Sequence, residues 1–234
     1  DKAFYLMKRP IRFTFFFFLF ASMQLFAQDA PVPIEQEPRH KLVFENEFIR
    51  IFDTRIPVGD VSQFHIHSFD SAFVCINGGE TQSEELGKPI QKRPPFKAGD
   101  VWYRPHATMP LTHRVSNLGQ TDFRVLDIEL RQALTESDVP MAKLPKEFVP
   151  ILENDRVRIS RLTLIPGAKT PEHKLTRRAL YVIVQASKAV FNFPKERRLT
   201  DYDPGDYYFA PANVERFIGN FGDKEFEAVQ IEIK

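Results

Sequence analysis

His65 and His67 are separated by a single residue, so on a strand both imidazoles leave from the same face. Neutral imidazole is a common ligand for divalent transition metals. A third histidine from a neighbouring strand would complete one side of a metal shell and leave positions open for water or substrate. The segment Gly59 to His67 is answered downstream by Gly99 to Pro105 and then by His113 to Asn117, which carries such a histidine. If the chain has chemistry, its residues point to this constellation.

The other polar and reactive side chains have plainer readings. His40 reads as a linker residue, and His106, after Pro105, as a solvated loop residue. Cys75 is the only cysteine and lies in an apolar run from Ala72 to Ile76. It is expected to be a buried, inert thiol, and no intramolecular disulfide is available. Trp102 and Tyr103 alternate faces on a predicted strand, so one packs a core and the other faces a pocket. Arg104 suits a carboxylate ligand, with a surface ion pair as the default expectation.

The elements that would position these residues are strands. Residues 48–56, 71–76, 122–130, 179–184 and 225–233 are rich in β-branched and aromatic residues, several with alternating polarity. Gly78-Gly79, Pro94-Pro95 and Asp203-Pro204-Gly205 supply turns. The pattern is also duplicated: residues 43–51 align without a gap on 151–159, matching Glu45 with Glu153, Asn46 with Asn154, and Arg50 with Arg158. The same register places Gly59 on Gly167 and His65 on His173, and Gly99 to Pro105 falls on Gly205 to Pro211. One supersecondary unit occurs twice. Residues 131–149, with Pro140 and Pro145, read as the linker, with a short helical turn around Ala133 to Ser137.

The 234 residues carry 32 basic and 31 acidic side chains, and no basic block stands outside the N-terminal region. No nucleic-acid partner is indicated. Charged residues make up 27% of the chain, which excludes an integral membrane protein. The N-terminal region reads as a secretory signal peptide: Met7 to Arg12 is basic, Phe13 to Phe26 is apolar, and Ala27 is a small residue at the expected cleavage point. Residues 1–6 then form an upstream extension, 28–41 an N-terminal segment, 42–130 the first unit and 150–234 the second. A periplasmic or secreted location follows, with no membrane contact after cleavage.

Taken together, these residues resemble the cupin superfamily, as a two-domain bicupin, from about Leu42 to Lys234. Gly59, His65, His67 and Gly78 or Gly79 match the family's first motif, and Gly99, Pro105, His113 and Asn117 match the second. The resemblance implies an all-β fold of two tandem jelly-roll β-barrels and a metal ion at the barrel mouth. The motif carboxylate is missing, since Ser71 or Ala72 stands where the family has Glu. The implied shell is therefore His65, His67 and His113, and the ion is one divalent transition metal: Fe, Zn, Ni, Mn or Cu. An all-neutral shell leaves the ion's charge uncompensated and favours anionic ligands.

In the second copy Leu175 replaces His67 and Arg216 is the counterpart of His113, so that site is degenerate. His173 and Arg216 could still bind a small anion without a metal. Tyr103, Asp70 and Gln63 are the catalytic candidates by proximity to the motifs. A dioxygenase, isomerase or lyase acting on a small organic acid is the expected function. The alternative is a non-catalytic barrel that binds a small ligand or serves structurally. Pairing of barrels through edge strands would give a homodimer.

Overall fold

The computed structural model describes residues 30–131, 140–193 and 196–234. The expected signal peptide and the turn around Ala133 to Ser137 lie outside the described residues. The strands of the first barrel are β1 (Val32–Pro33), β2 (His40–Glu45), β3 (Ile49–Ile56), β4 (His65–His67), β5 (Ser71–Asn77), β6 (Thr81–Glu85), β7 (Gln91–Lys92), β8 (Val101–Arg104), β9 (Leu111–Asn117) and β10 (Phe123–Leu130). Those of the second are β11 (Phe148–Glu153), β12 (Val157–Leu164), β13 (His173–Lys174), β14 (Ala179–Gln185), β15 (Ser187–Phe193), β16 (Glu196–Tyr202), β17 (Tyr207–Ala210), β18 (Glu215–Asn220) and β19 (Phe226–Ile233).

Each barrel is two sheets. The order β2-β3-β10-β5-β8 recurs as β11-β12-β19-β14-β17, and β4-β9-β6-β7 recurs as β13-β18-β15-β16. The duplication read from the sequence is thus a duplication of strand order. Two elements differ from the expected boundaries. β2 starts at His40 and β11 at Phe148, each two residues early. The segment before β2 is part of the first barrel, because β1 adds to β4 in parallel, pairing Val32 with His65.

Local devices are duplicated with the strands. The Asn46 side-chain oxygen accepts from the backbone N–H groups of Phe48 and Ile49, and Asn154 does the same for Arg156 and Val157. Asn117 and Asn220 are both fully buried, and each cross-links two carbonyls and one N–H around the end of its barrel. Arg50 pairs with Glu129 as Arg158 pairs with Glu232. Burial and then the Asp127 charge push the Glu129 carboxyl up to about 7 against the pull of Arg50.

The two five-stranded sheets of β2 and β11 face each other across a shared apolar core. Ile49, Ile51, Leu126 and Ile128 of one barrel meet Val157, Ile159, Leu180 and Ile231 of the other. At the edges of this interface each barrel sends an arginine to the glycine turn of the other. Arg124 donates to the Pro204 carbonyl at 2.7 Å, and Arg161 donates to the Gly99 carbonyl at 2.6 Å. Gly99 and Gly205 have φ of +84° and +91°, so the motif glycines serve a left-handed turn. A Cβ on Gly205 would lie 2.4 to 2.6 Å from the Arg124 guanidinium. Gly205→Ala is therefore expected to destabilise by about 1–2 kcal/mol from the backbone alone, measurable by urea unfolding. An unchanged midpoint would contradict this account of the turn.

The interiors differ. The second barrel is packed by a cluster that includes Tyr181, Phe191, Tyr202 and Phe226. The first has a small apolar cluster of Ile56, Phe73, Cys75, Phe123 and Val125 and keeps open space beside it. Cys75 is buried as expected, and burial followed by the Asp100 charge pushes its thiol up to about 12.

Candidate metal centre

The open space is a cavity of about 700 Å3, mouth included, and five of the six histidines of the chain line it: His40, His65, His67, His106 and His113. The reason is register. β4 and β9 pair His65 directly with His113, and the i, i+2 spacing puts His67 on the same inward face. The Nε2 atoms of His65 and His67 are 3.0 Å apart, as are those of His67 and His113.

The outer nitrogen fixes the tautomer of His65. The Gln63 carbonyl can only accept, so His65 Nδ1, 2.9 Å away, donates and its Nε2 carries a lone pair. His67 Nδ1 faces the buried Asp127 carboxylate at 3.3 Å, too misaligned for a good hydrogen bond, and both Asp127 oxygens have no hydrogen-bond partner. The carboxylate behind Nδ1 favours a proton there, which would leave the His67 Nε2 lone pair for an ion. His113 Nδ1 lies 3.1 Å from the Ser83 hydroxyl. At 3.0 Å these nitrogens share either a proton, as an N–H···N hydrogen bond, or a metal ion that replaces it. Ligands about 2.1 Å from one ion and at right angles to each other are about 3.0 Å apart, so the His65–His67 and His67–His113 pairs each have the spacing of two ligands of a divalent metal.

A fourth imidazole joins them. His40, expected in a linker, is a buried residue of β2, its ring 4.3 Å from that of His65. His40, His65 and His67 each offer a ligand nitrogen within 4.8 Å of the others. The buried Glu37 carboxylate orients His40 through its Nδ1 at 2.5 Å. Burial raises the Glu37 carboxyl, but His40 and the backbone N–H groups of Gln63 and Arg39 outweigh it and hold it below the usual range. Strand pairing puts His40 opposite Thr54 as it puts Phe148 opposite Leu162 in the other barrel. A histidine at an inward position that is apolar in the other copy is set for a site.

The remaining expectations are redistributed by strand alternation. Trp102 and Arg104 line the cavity, while Tyr103 packs on the shared core between the barrels. Burial and a hydrogen bond to Asp70 push the Tyr103 phenol up to about 12. Asp70 accepts from the Ala107 N–H and lies near Arg156, and Gln63 acts through its backbone. None of the three catalytic candidates lines the cavity. His106, expected in solvent, is buried and stacked on His67 at 5.0 Å. Arg104 makes no ion pair among the described residues.

In the second barrel His173 pairs with Arg216, as His65 pairs with His113. Leu175 stands where His67 would be, and the Arg216 guanidinium is turned to the Pro211 and Val214 carbonyls. Phe191 occupies the place of Ser83, and both Leu175 and Phe191 belong to the apolar cluster that fills this interior.

No family model matches the chain, and no curated protein matches it in sequence. Solved structures do match. AerE from Microcystis aeruginosa is 14% identical over 85% of this chain and 98% of its own, with a TM-score of 0.59. The cupin 2 conserved barrel domain protein from Leptotrichia buccalis is 13% identical over 82% of this chain and 87% of its own, TM-score 0.50. The fold is that of a bicupin. A third relative in structure, Bacillus subtilis oxalate decarboxylase, described with Mn(II) centres, is 15% identical over 80% of this bicupin and 69% of its own chain, TM-score 0.54.

Two predictions test the site in the bicupin. Asp127→Asn keeps the shape but removes the charge that orients His67, and is expected to weaken metal binding by about 10–100-fold. Equal affinity in a competitive chelator titration would remove Asp127 from the site. The second concerns pH. Burial, then the neighbouring histidines, hold His65 and His113 well below the ordinary value; burial likewise lowers His106 and His173. Below about pH 6.5 the unfolded chain binds protons at these four while the fold does not, so stability falls as pH falls. Glu129 and Glu232, raised first by burial, act in the opposite sense, two against four. The metal-free protein is expected to melt lower at pH 5.5 than at pH 7; a rise would reverse the assignment.

Proposed function

We propose that this bicupin is a metal-dependent enzyme in which His65, His67 and His113 hold one divalent transition metal, with His40 as a fourth ligand in place of the absent motif carboxylate. The observation that carries the reading is the convergence of three imidazoles in one cavity, with the His67 Nε2 3.0 Å from those of both His65 and His113. The near-right-angle spacing suits ions that accept six ligands, such as Mn or Fe, more than tetrahedral zinc. Bound there, the ion would supply a Lewis-acid or redox centre with open positions.

The chain's own residues bind, orient and exclude water. Neutral histidines leave the ion's charge for an anionic substrate, a small organic acid, and the apolar wall of the cavity shields that interaction from solvent. Tyr103 and Asp70 lie off the cavity, and the one carboxylate lining it, Asp127, sits against His67. His106 is then the titratable imidazole on the cavity wall that is not a proposed ligand, and one such group suits decarboxylation or oxygenation more than isomerisation. The N-terminal pattern from Met7 to Ala27 makes the enzyme an exported one.

The test is elemental analysis of chelator-free protein, followed by turnover of a panel of carboxylic acids after reconstitution with Mn2+ or, anaerobically, Fe2+. CO2 release and O2 uptake would be followed together. About one equivalent of metal and metal-dependent turnover are expected. A folded protein that holds no metal after reconstitution overturns the reading and leaves a ligand-binding barrel.

A further inference from the structure

We propose that Arg93 and Arg104 form a carboxylate clamp at the mouth of the first barrel, and that its ligand is a monocarboxylic acid whose flat apolar body lies against Trp102. This rests on the reading of the cavity as a substrate site and names the substrate's chemistry.

Both arginines line the cavity, and neither makes a hydrogen bond or ion pair with a described residue. Burial and then the Arg104 charge lower the Arg93 guanidinium, while Glu85, whose carboxylate is engaged by Lys88, offsets part of this. Two guanidinium groups facing one cavity repel, Glu85 offsets only part of this, and an anion relieves the rest; the planar fork matches a carboxylate in two hydrogen bonds. The one acid lining the cavity, Asp127, lies against His67 and pairs with neither arginine.

The wall beside the clamp has another character. Phe73 and Trp102 stack at 5.0 Å and 6°, Phe96 lies on Trp102 at 4.8 Å, and Phe123 follows at 5.6 Å. A continuous aromatic slab suits a flat apolar body, and one clamp suits one carboxylate. The clamp is absent from the other barrel, where by strand register Ala210 replaces Arg104; the aromatic positions persist there as Tyr181 and Tyr208, but they pack around Phe191 in a filled interior. Clamp and histidine cluster occur together in the first barrel and are both missing from the second.

Trp102 is the only tryptophan in the chain, so its fluorescence reports the slab directly. Benzoate, benzyl alcohol and acetate would be titrated into the full chain, both after EDTA dialysis and after metal loading. In the metal-free protein benzoate is expected to perturb Trp102 with a Kd at least about tenfold below those of benzyl alcohol and acetate. Arg93→Gln/Arg104→Gln should raise the benzoate Kd by about tenfold or more and leave benzyl alcohol within about twofold. The Arg93→Lys/Arg104→Lys protein, with charge but no fork, should fall between. Equal affinity for benzoate and benzyl alcohol, or a double Gln variant that binds benzoate unchanged, overturns the clamp. Because these arms need no metal, loss of the metal reading would show in the elemental analysis while the benzoate result stood.

Discussion

His67→Leu is expected to strip the metal from the protein, lowering affinity by more than the roughly 100-fold that marks loss of an orienting partner, while the metal-free fold keeps its melting temperature within a few degrees. His67 is the shared member of the cluster, 3.0 Å from both His65 and His113 at Nε2, so its loss divides the shell. Leucine is the right replacement because the second barrel carries Leu175 at this position, fully buried in its core. Alanine would leave a cavity beside the buried Asp127 and confuse ligand loss with packing loss. Three single changes calibrate the result. His113→Ala should approach the His67→Leu effect, His40→Ala should cost about tenfold, and His173→Ala should change nothing. Metal retained at one equivalent by His67→Leu after dialysis against a weak chelator would refute the three-histidine shell.

Asn117→Ala is expected to be the most damaging single change to stability, costing about 3 kcal/mol. The fully buried side chain donates to the Ile56 carbonyl at 2.9 Å and the Thr121 carbonyl at 2.8 Å, and accepts from the Gly119 N–H at 2.9 Å. Each such bond contributes about 1 kcal/mol net, and removing the side chain leaves buried backbone groups unpaired. For a chain of this size the loss corresponds to a fall of roughly 6–12 °C in Tm. Asn117→Asp should do no better, because a carboxylate has no N–H for the two carbonyls. Asn220→Ala should match it, since the same three bonds recur there. A Tm shift below about 2 °C at either position would show that water replaces the side chain.

Most of the fold was legible because strand alternation and the repeat are local properties of the sequence. Residues 43–51 and 151–159 predict the same turn and strand, and the structure gives both, down to the Asn46 and Asn154 hydrogen bonds. The spacing of His65 and His67 likewise fixes a common face. What the sequence concealed depends on which strands become neighbours. His40 lies far from both motifs between Arg39 and Lys41, and only the pairing of β2 with β3 turns it inward. His106 follows a proline in a loop, and tertiary packing alone stacks it on His67. Tyr103 and Asp70 are close to the motifs in sequence but lie on the far side of β5 and β8, where proximity along the chain misleads.

The shared apolar core has a consequence for how the two halves can exist. Sixteen buried residues from both barrels form one cluster, so neither half has a finished surface of its own. The chain should unfold as a single cooperative unit, with one calorimetric transition, and metal bound in the first barrel should raise the melting temperature of the second. Splitting the gene within the segment between the barrels would yield an obligate heterodimer, two fragments insoluble apart and folded together. The second barrel, its interior filled by its own side chains, stands as the first barrel's permanent solvent shield.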